Sequence, residues 1–389
     1  MRRPAELKAI QKADNISDFN LEYNCKRSIN DIKRTLKTGH MEKIWSSKQR
    51  SISSWTNKIY QGDNAVVMNT ILPELMGSVN LVYIDPPFAT GREFNGIHKA
   101  DIAYSDLLLG PEFIEFLRTR LYLIRELMSD DASIYVHIDW KMAHYVRVLM
   151  DEIFGPEFFI NDITRIKCNP KNFNRCAYGN VKDTILFYSK TKNYYWEDSR
   201  EELCEVEIVD RFPLIDEKGR RYTTTPLHAP GVTHGGPTGM PWKGMAPPKG
   251  RHWRYPPDQL TVLDNLGEII WSSSNNPRKK LYADNVIKKG KKRQDLWEFK
   301  DPPYPRYPTE KNLDMLRTIL MSSSKKDDLV MDAFAGSGSF LEAAESMERR
   351  WIGIDESTTA IETIRTRLME YEKLNTINYA YDAYFCEVD

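Results

Sequence analysis

The sequence predicts a doubly wound, mostly parallel α/β sheet interrupted by a loop-rich insertion, and three observations carry that class. Short apolar strands alternate with segments of helical spacing from residue 58 to about 189. Between about 190 and 300 the alternation stops, and Gly, Pro, Trp and basic residues crowd together. It resumes after 300 with a helix, a strand running into a glycine turn, another helix and another strand. The expected division is therefore a basic N-terminal extension over 1–57, one half of the α/β domain over 58–189, the insertion over 190–300 and the second half over 301–389.

In chain order, residues 1–57 are polar and show no strong periodicity, hence their assignment as an extension. Residues 58–63 form a short strand ending in Gly-Asp, and 65–75 form a helix. Residues 79–84 are almost continuously apolar, the pattern of a strand buried on both faces. Apolar residues recur at helical spacing over 113–128, followed by a strand over 133–138, a helix to about 153, and strands near 161–167 and 184–188. Beyond the insertion come a helix over 311–322, a strand over 329–332, a helix from Ser339 and a strand over 351–354 ending at Asp355.

Hydrophobic residues make up 41% and charged residues 28% of the 389, which excludes a fibrous or largely disordered chain. No run approaches the ~20 apolar residues of a membrane span, and Met1-Arg2-Arg3-Pro4 opens no apolar signal core, so a cytoplasmic protein without membrane contact is expected. Five scattered cysteines with no CxxC pair predict reduced thiols and no metal. The formal charge of zero hides an uneven distribution, because residues 1–58 and residues 241–300 each carry 13 Lys or Arg against 6 Asp or Glu. Either basic region alone reads as a solvated surface.

Two motifs stand where open α/β sheets bind ligands, beyond the carboxyl ends of strands. The first is Asp85-Pro86-Pro87-Phe88, after the apolar strand 79–84. Two prolines make a rigid turn that lacks two backbone donors and presents its carbonyls as acceptors. A carboxylate beside a free carbonyl suits an exocyclic NH2 group, and Phe88 offers a face on which a base can stack. Taken alone, the motif is an ordinary strand-ending turn. Asp301-Pro302-Pro303-Tyr304 has the same form but follows charged, alternating sequence, so no buried strand is expected to deliver it to a sheet edge, and it reads as a linker turn.

The second motif is Asp332-Ala333-Phe334-Ala335-Gly336-Ser337-Gly338, whose small residues let a ligand approach the backbone at a helix N-terminus. Leu341 occupies the third glycine position of a GxGxxG fingerprint and no GxxxxGK[ST] is present, so hydride transfer and ATP hydrolysis lose ground. Asp355 can accept hydrogen bonds from ribose hydroxyls. His137 and Asp139, at the end of another strand, are expected in hydrogen-bonded structural roles.

Together these residues resemble the S-adenosylmethionine-dependent amino-methyltransferases of DNA, specifically the circularly permuted β group that includes type III modification subunits and type II and phage adenine enzymes. The likeness covers about 58–370 and rests on order: Asp85 to Phe88, then the insertion, then Phe334 to Gly338. Tyr307-Pro308-Thr309-Glu310-Lys311-Asn312 is similar to the family's Thr-Glu-Lys-Asn segment near the methionine part of the cofactor, and Gly250-Arg251-His252-Trp253-Arg254 to a segment of its recognition region. The resemblance implies a permuted Rossmann-like sheet, S-adenosylmethionine as cofactor, and N6 methylation of an adenine flipped out of double-stranded DNA. It places catalysis on Asp85, Pro86, Pro87 and Phe88. Cofactor binding falls to Asp63, Asp85, Thr309, Lys311, Asp332, Phe334, Ala335, Gly336, Ser337, Gly338 and Asp355.

With nucleic acid as substrate, the basic insertion becomes the target-recognition region, and Trp242, Lys243, Arg251, His252, Trp253, Arg254, Lys288, Lys289, Lys291, Lys292 and Arg293 become its DNA-contacting candidates. A restriction-modification setting in a prokaryote or phage follows from the same likeness, with a homodimer and a restriction subunit or cognate endonuclease as the partners it allows. N4-cytosine methylation of DNA, N6-adenine methylation of RNA, and a non-catalytic DNA-binding relative are the alternatives.

Overall fold

The computed structural model describes residues 20–48, 54–87, 92–95, 102–106, 110–170, 174, 176–307, 310–374, 377 and 379–389. Two compact units emerge, one drawn from Met1–Glu197 with Gln294–Asp389 and the other from Asp198–Arg293. The large unit begins with α1 (Ile29–Thr35), β1 (Gly39–Ser46), β2 (Thr56–Gln61), α2 (Asn64–Leu75), β3 (Val79–Ile84), and the strands β4 (Arg92–Asn95) and β5 (Ile102–Asp106). It continues through α3 (Gly110–Leu127), β6 (Met128–Ile138), α4 (Ala143–Phe154), β7 (Phe159–Ile166) and β8 (Lys182–Ser189). The small unit holds β9 (Arg200–Glu201), α5 (Glu205–Arg211), β10 (Leu214–Ile215), β11 (Arg221–Pro226), β12 (His228–Pro230), β13 (Arg251–Trp253), α6 (Pro257–Asn265), β14 (Ile269–Trp271), β15 (Pro277–Tyr282), α7 (Ala283–Ile287) and β16 (Lys291–Lys292). Back in the large unit come β17 (Leu296–Glu298), α8 (Leu313–Ser323), β18 (Leu329–Asp332), α9 (Ser339–Ser346), β19 (Arg350–Asp355), α10 (Thr358–Leu374) and β20 (Ala380–Val388).

One sheet organises the large unit in the order β1-β20-β2-β19-β18-β3-β6-β8-β7-β17. Every neighbouring pair from β20 to β6 is parallel. Both faces are covered, which is why the central strands read as apolar runs: Val82, Ile84, Ile134 and Met331 pack with Leu121 of α3 and Val146 of α4. The alternate residues Leu81, Tyr83, Tyr135 and Val330 pack with Ile319 of α8, Leu341 of α9 and Ile364 of α10. The doubly wound α/β class is thus observed. Strands β18 and β19 lie between β2 and β3, so residues far apart in sequence bring their carboxyl ends to one edge.

The periphery differs from the sequence expectation. Within 1–57, expected to stand apart, Gly39–Ser46 pairs antiparallel with β20 and belongs to the main sheet. Likewise Leu296–Glu298 pairs in parallel with β7, so a strand does deliver Asp301 to a sheet edge. Both are edge strands whose exposed residues leave no apolar run, and in β17 only Trp297 is buried. Flanking the small unit, Trp196 stacks on Phe187 of β8 at 5.7 Å and so belongs with the sheet.

The small unit has its own antiparallel sheet, β10-β11-β15-β14, and a ribbon, β12-β13. Its core gathers Leu227, Trp242, Trp253, Leu260 and Ile269. No helix among the described residues is long and apolar enough to cross a membrane.

Candidate active site

A cleft of about 970 Å³, counting the part open to solvent, opens where β3, β18 and β19 end side by side. Asp85, Pro86, Pro87, Lys311, Phe334 and Asp355 all line it. Phe88 and Thr309 lie outside the described residues.

Asp85 follows β3 directly. Its Oδ2 accepts from the Lys311 ammonium, which arrives from the segment ahead of α8. Its Oδ1 is buried without a hydrogen-bond partner and lies 4.0 Å from His137 Nδ1. A buried carboxylate oxygen without a partner is an acceptor awaiting a donor. Asp301 meets a different fate: its Oδ1 accepts from Arg165 Nη2 at 2.5 Å, and it does not line the cleft.

The glycine turn joins β18 to α9. Asp332 accepts from the Phe334 amide at 2.9 Å, and burial, with Asp85 and Asp355 nearby, pushes its carboxyl well above the usual range. Asp355 accepts from the Ser357 and Gly336 amides at 2.9 and 2.8 Å, yet burial pushes it up to about 6. Gly336 has φ +49° and would keep an added Cβ 3.7 Å from Tyr307, whereas Gly338, at φ +75°, would bring its own within 2.8 Å of Ile364 on α10. Gly336 therefore lines the cleft, and Gly338, which does not, serves helix packing. Ser337 lies in the cleft wall with its hydroxyl 2.8 Å from that of Ser339.

Several participants had no readable signal. Arg367 of α10, buried at 3% exposure, ties the turn to the Lys311 segment by donating to the Ser337 carbonyl, to Glu342 and to Glu310. Arg120 of α3 lies in the cleft wall over the Phe116 ring, 3.5 Å from its centroid, and donates to Asn64 and to Asp63. Asp63 is otherwise spent capping α2 through the Ala65 and Val66 amides and does not itself line the cleft; Asn64 does. Asp139 accepts from the Lys141 and Met142 amides where α4 begins, the expected structural role.

The small unit corrects two assignments. Trp242 and Trp253 are core residues at 3% and 1% exposure. Their indole nitrogens donate to Thr261 and to the Met240 carbonyl, so neither is a surface contact. Lys243 pairs with Asp264. Arg251 and Arg254 are exposed, with Arg251 beside His228 and Arg254 bonded to the Pro226 carbonyl, and His252 faces the Gly231 carbonyl at 2.9 Å. Within the basic run, Lys291, Lys292 and Arg293 pair with Glu207, Asp198 and Glu201, while Lys288 and Lys289 are exposed.

A family model described as DNA methylase, of the N6/N4 type, matches residues 79–366. The chain is 43% identical over 317 residues to the type II methyltransferase M.EcaI of Enterobacter cloacae, a match covering 80% of this chain and 69% of that relative. It is 26% identical over 344 residues to the type III StyLTI Mod subunit of Salmonella typhimurium, covering 75% of this chain and 50% of that one. Among solved structures, the cytosine-N4-specific PvuII DNA methyltransferase aligns over 82% of this chain and 89% of its own at 13% identity, with a TM-score of 0.48. The chain spans about half the length of the type III subunits it matches.

Proposed function

This chain belongs to the N6/N4 family of DNA methylases, and from that membership we propose that it methylates the exocyclic N6 of an adenine flipped out of double-stranded DNA. The observation that carries the reading is Asp85: an acceptor with one committed oxygen and one open oxygen, on a rigid Pro-Pro turn at the cleft. The methyl donor is S-adenosylmethionine, which supplies a methyl group already activated by a positively charged sulfur. The cleft's donor set fits that group. Asp355 keeps spare lone pairs for ribose hydroxyls, Phe334 and Phe116 give apolar ring faces 6.1 Å apart, and Gly336 leaves the backbone uncovered. Asn64, Arg120, Ser337 and Lys311 complete the walls.

On the substrate side, Asp85 Oδ1 accepts one amine N–H and the Pro86 carbonyl the other, favouring tetrahedral geometry at nitrogen and aiming its lone pair. Phe88 supplies the stacking face. Catalysis by these residues is mostly orientation and electrostatic placement. The small unit supplies target recognition, with exposed Arg251 and Arg254 as base readers and Lys288 and Lys289 as phosphate contacts. A restriction-modification setting follows from the type II and type III relatives.

Expression in a host lacking DNA methylation, followed by sequencing for modified bases, tests this. N6-methyladenine at one short motif is expected. N4-methylcytosine would move the assignment to the other amine, and no modified base would overturn it.

A further inference from the structure

Methylating an NH2 group leaves one surplus proton, because an N–H bond must break with its electron pair returning to nitrogen. In the reading above Asp85 accepts the amine N–H through Oδ1, while its Oδ2 is held by Lys311. Behind Oδ1 lies His137, 0% exposed, with Nδ1 4.0 Å from that oxygen and 2.9 Å from the Tyr83 hydroxyl, and Nε2 3.4 Å from Asp183 Oδ2. We propose that His137 is a positioning residue that receives the departing amine proton from Asp85, with Asp183 orienting and stabilising the imidazolium that forms. The proposal rests on the methyl-transfer reading above and deepens it.

Among the described residues, the groups around this imidazole come from four elements. They are Tyr83 and Asp85 from β3 and its turn, Asp183 from β8, Arg165 of β7 with Lys167 just beyond it, and Lys311 ahead of α8. Burial lowers the proton affinity of His137, so the ring rests neutral, with Nε2–H donating to Asp183 and the Tyr83 hydroxyl donating to Nδ1. Burial raises the Asp183 carboxyl, but the bond from His137 and the charge of Lys167 more than offset this and hold it below the usual range, ionised throughout. Asp85, His137 and Asp183 thus follow one another as carboxylate, imidazole and carboxylate.

A shift of about 1 Å closes Asp85 Oδ1 onto Nδ1. The amine N–H bond breaks and an O–H bond forms at Asp85. That O–H bond then breaks as an N–H bond forms at Nδ1, and the Tyr83 hydroxyl turns from donor to acceptor. The imidazolium so formed lies between two carboxylates and returns its proton through Asp85, which lines the cleft, to water after the product leaves.

The test is single-turnover methyl transfer to duplex DNA as a function of pH, beside calorimetric cofactor affinity and thermal melting. His137→Gln keeps a polar side chain but cannot take up a proton. It is expected to slow transfer by about 10²-fold with an unchanged cofactor dissociation constant, and to lose the part of the acid limb set by the imidazole. Asp183→Asn leaves the ring but removes its counter-charge, so the imidazole becomes less basic. Transfer slows and the acid limb moves to lower pH. If His137→Gln does not fold, Asp183→Asn decides alone. Either variant, folded, with wild-type rate and pH profile overturns the proposal. Failure of the underlying reading shows separately, as a wild-type enzyme that transfers no methyl group at all.

Discussion

Asp85 and Asp301 head the same tripeptide and end sheet strands, yet their partners separate them. Asp85 faces the cleft with Lys311, and Asp301 is held by Arg165. Asp85→Asn should lower methyl transfer by about 10²- to 10⁴-fold with little change in cofactor affinity, because the amide still fills the turn but can no longer take a proton. Asp301→Ala should keep methyl transfer and lose about 1 to 3 kcal/mol of stability, because Asp301 is 43% exposed but its partner Arg165 is 0% exposed and, among the described residues, keeps only Asp183 as a counter-charge. If Asp301→Ala were the dead variant, the chemistry would belong to the other turn. Asp355 gives a pH signature. Burial pushes it up to about 6, and only its ionised form accepts from two ribose hydroxyls, so cofactor affinity should be flat above that pH. Below it, affinity should fall by up to about tenfold per unit. Asp355→Asn should remove this dependence in calorimetry run across the range.

The turn between β18 and α9 puts two glycines to different uses. Gly338→Ala would drive a Cβ to 2.8 Å from Ile364 at φ +75°, and should cost about 2 to 4 kcal/mol in urea unfolding. Gly336→Ala meets nothing closer than 3.7 Å, and should cost about 1 to 2 kcal/mol from its backbone alone. Equal losses would mean that conformation, rather than space, decides both sites. Elements buried on both sides were legible, because β3 and β18 must be apolar at every position that reaches either helix layer. Edge strands β1 and β17, and β20 between β1 and β2, were not: with few residues buried, their pattern matches that of a polar loop. Arg120 and Arg367 escaped for the opposite reason, since a cation inside an apolar helical pattern carries no mark of its partners across the fold. Trp242 and Trp253 were misread because tryptophan beside basic residues looks the same whether it fills a small core or faces DNA.

For the molecule as a DNA-binding protein, the internal ion pairs of Lys291, Lys292 and Arg293 shift the phosphate-contact expectation onto Lys288 and Lys289. Replacing both with Gln should weaken binding to all duplexes and flatten the salt slope by ~0.9 per lost contact. Arg251→Gln or Arg254→Gln should instead change the preference between matched and mismatched duplexes by ~1 to 3 kcal/mol. Titrations at several salt concentrations separate the two, and substitutions that all leave both the salt slope and the sequence preference unchanged would remove the small unit from recognition. The placement of β18 and β19 between β2 and β3 also sets a timetable. On the ribosome, β3 emerges long before its neighbour β18, and at ~5–20 residues per second the gap from Ile84 to Leu329 lasts on the order of 10 to 50 seconds. Through that interval the growing chain carries β3 without the neighbour that will cover one edge and β2 without either of its own, β19 and β20. A nascent chain stalled before Leu329 should therefore be cut readily by protease and held by chaperones, and one stalled with β19 outside the exit tunnel should resist.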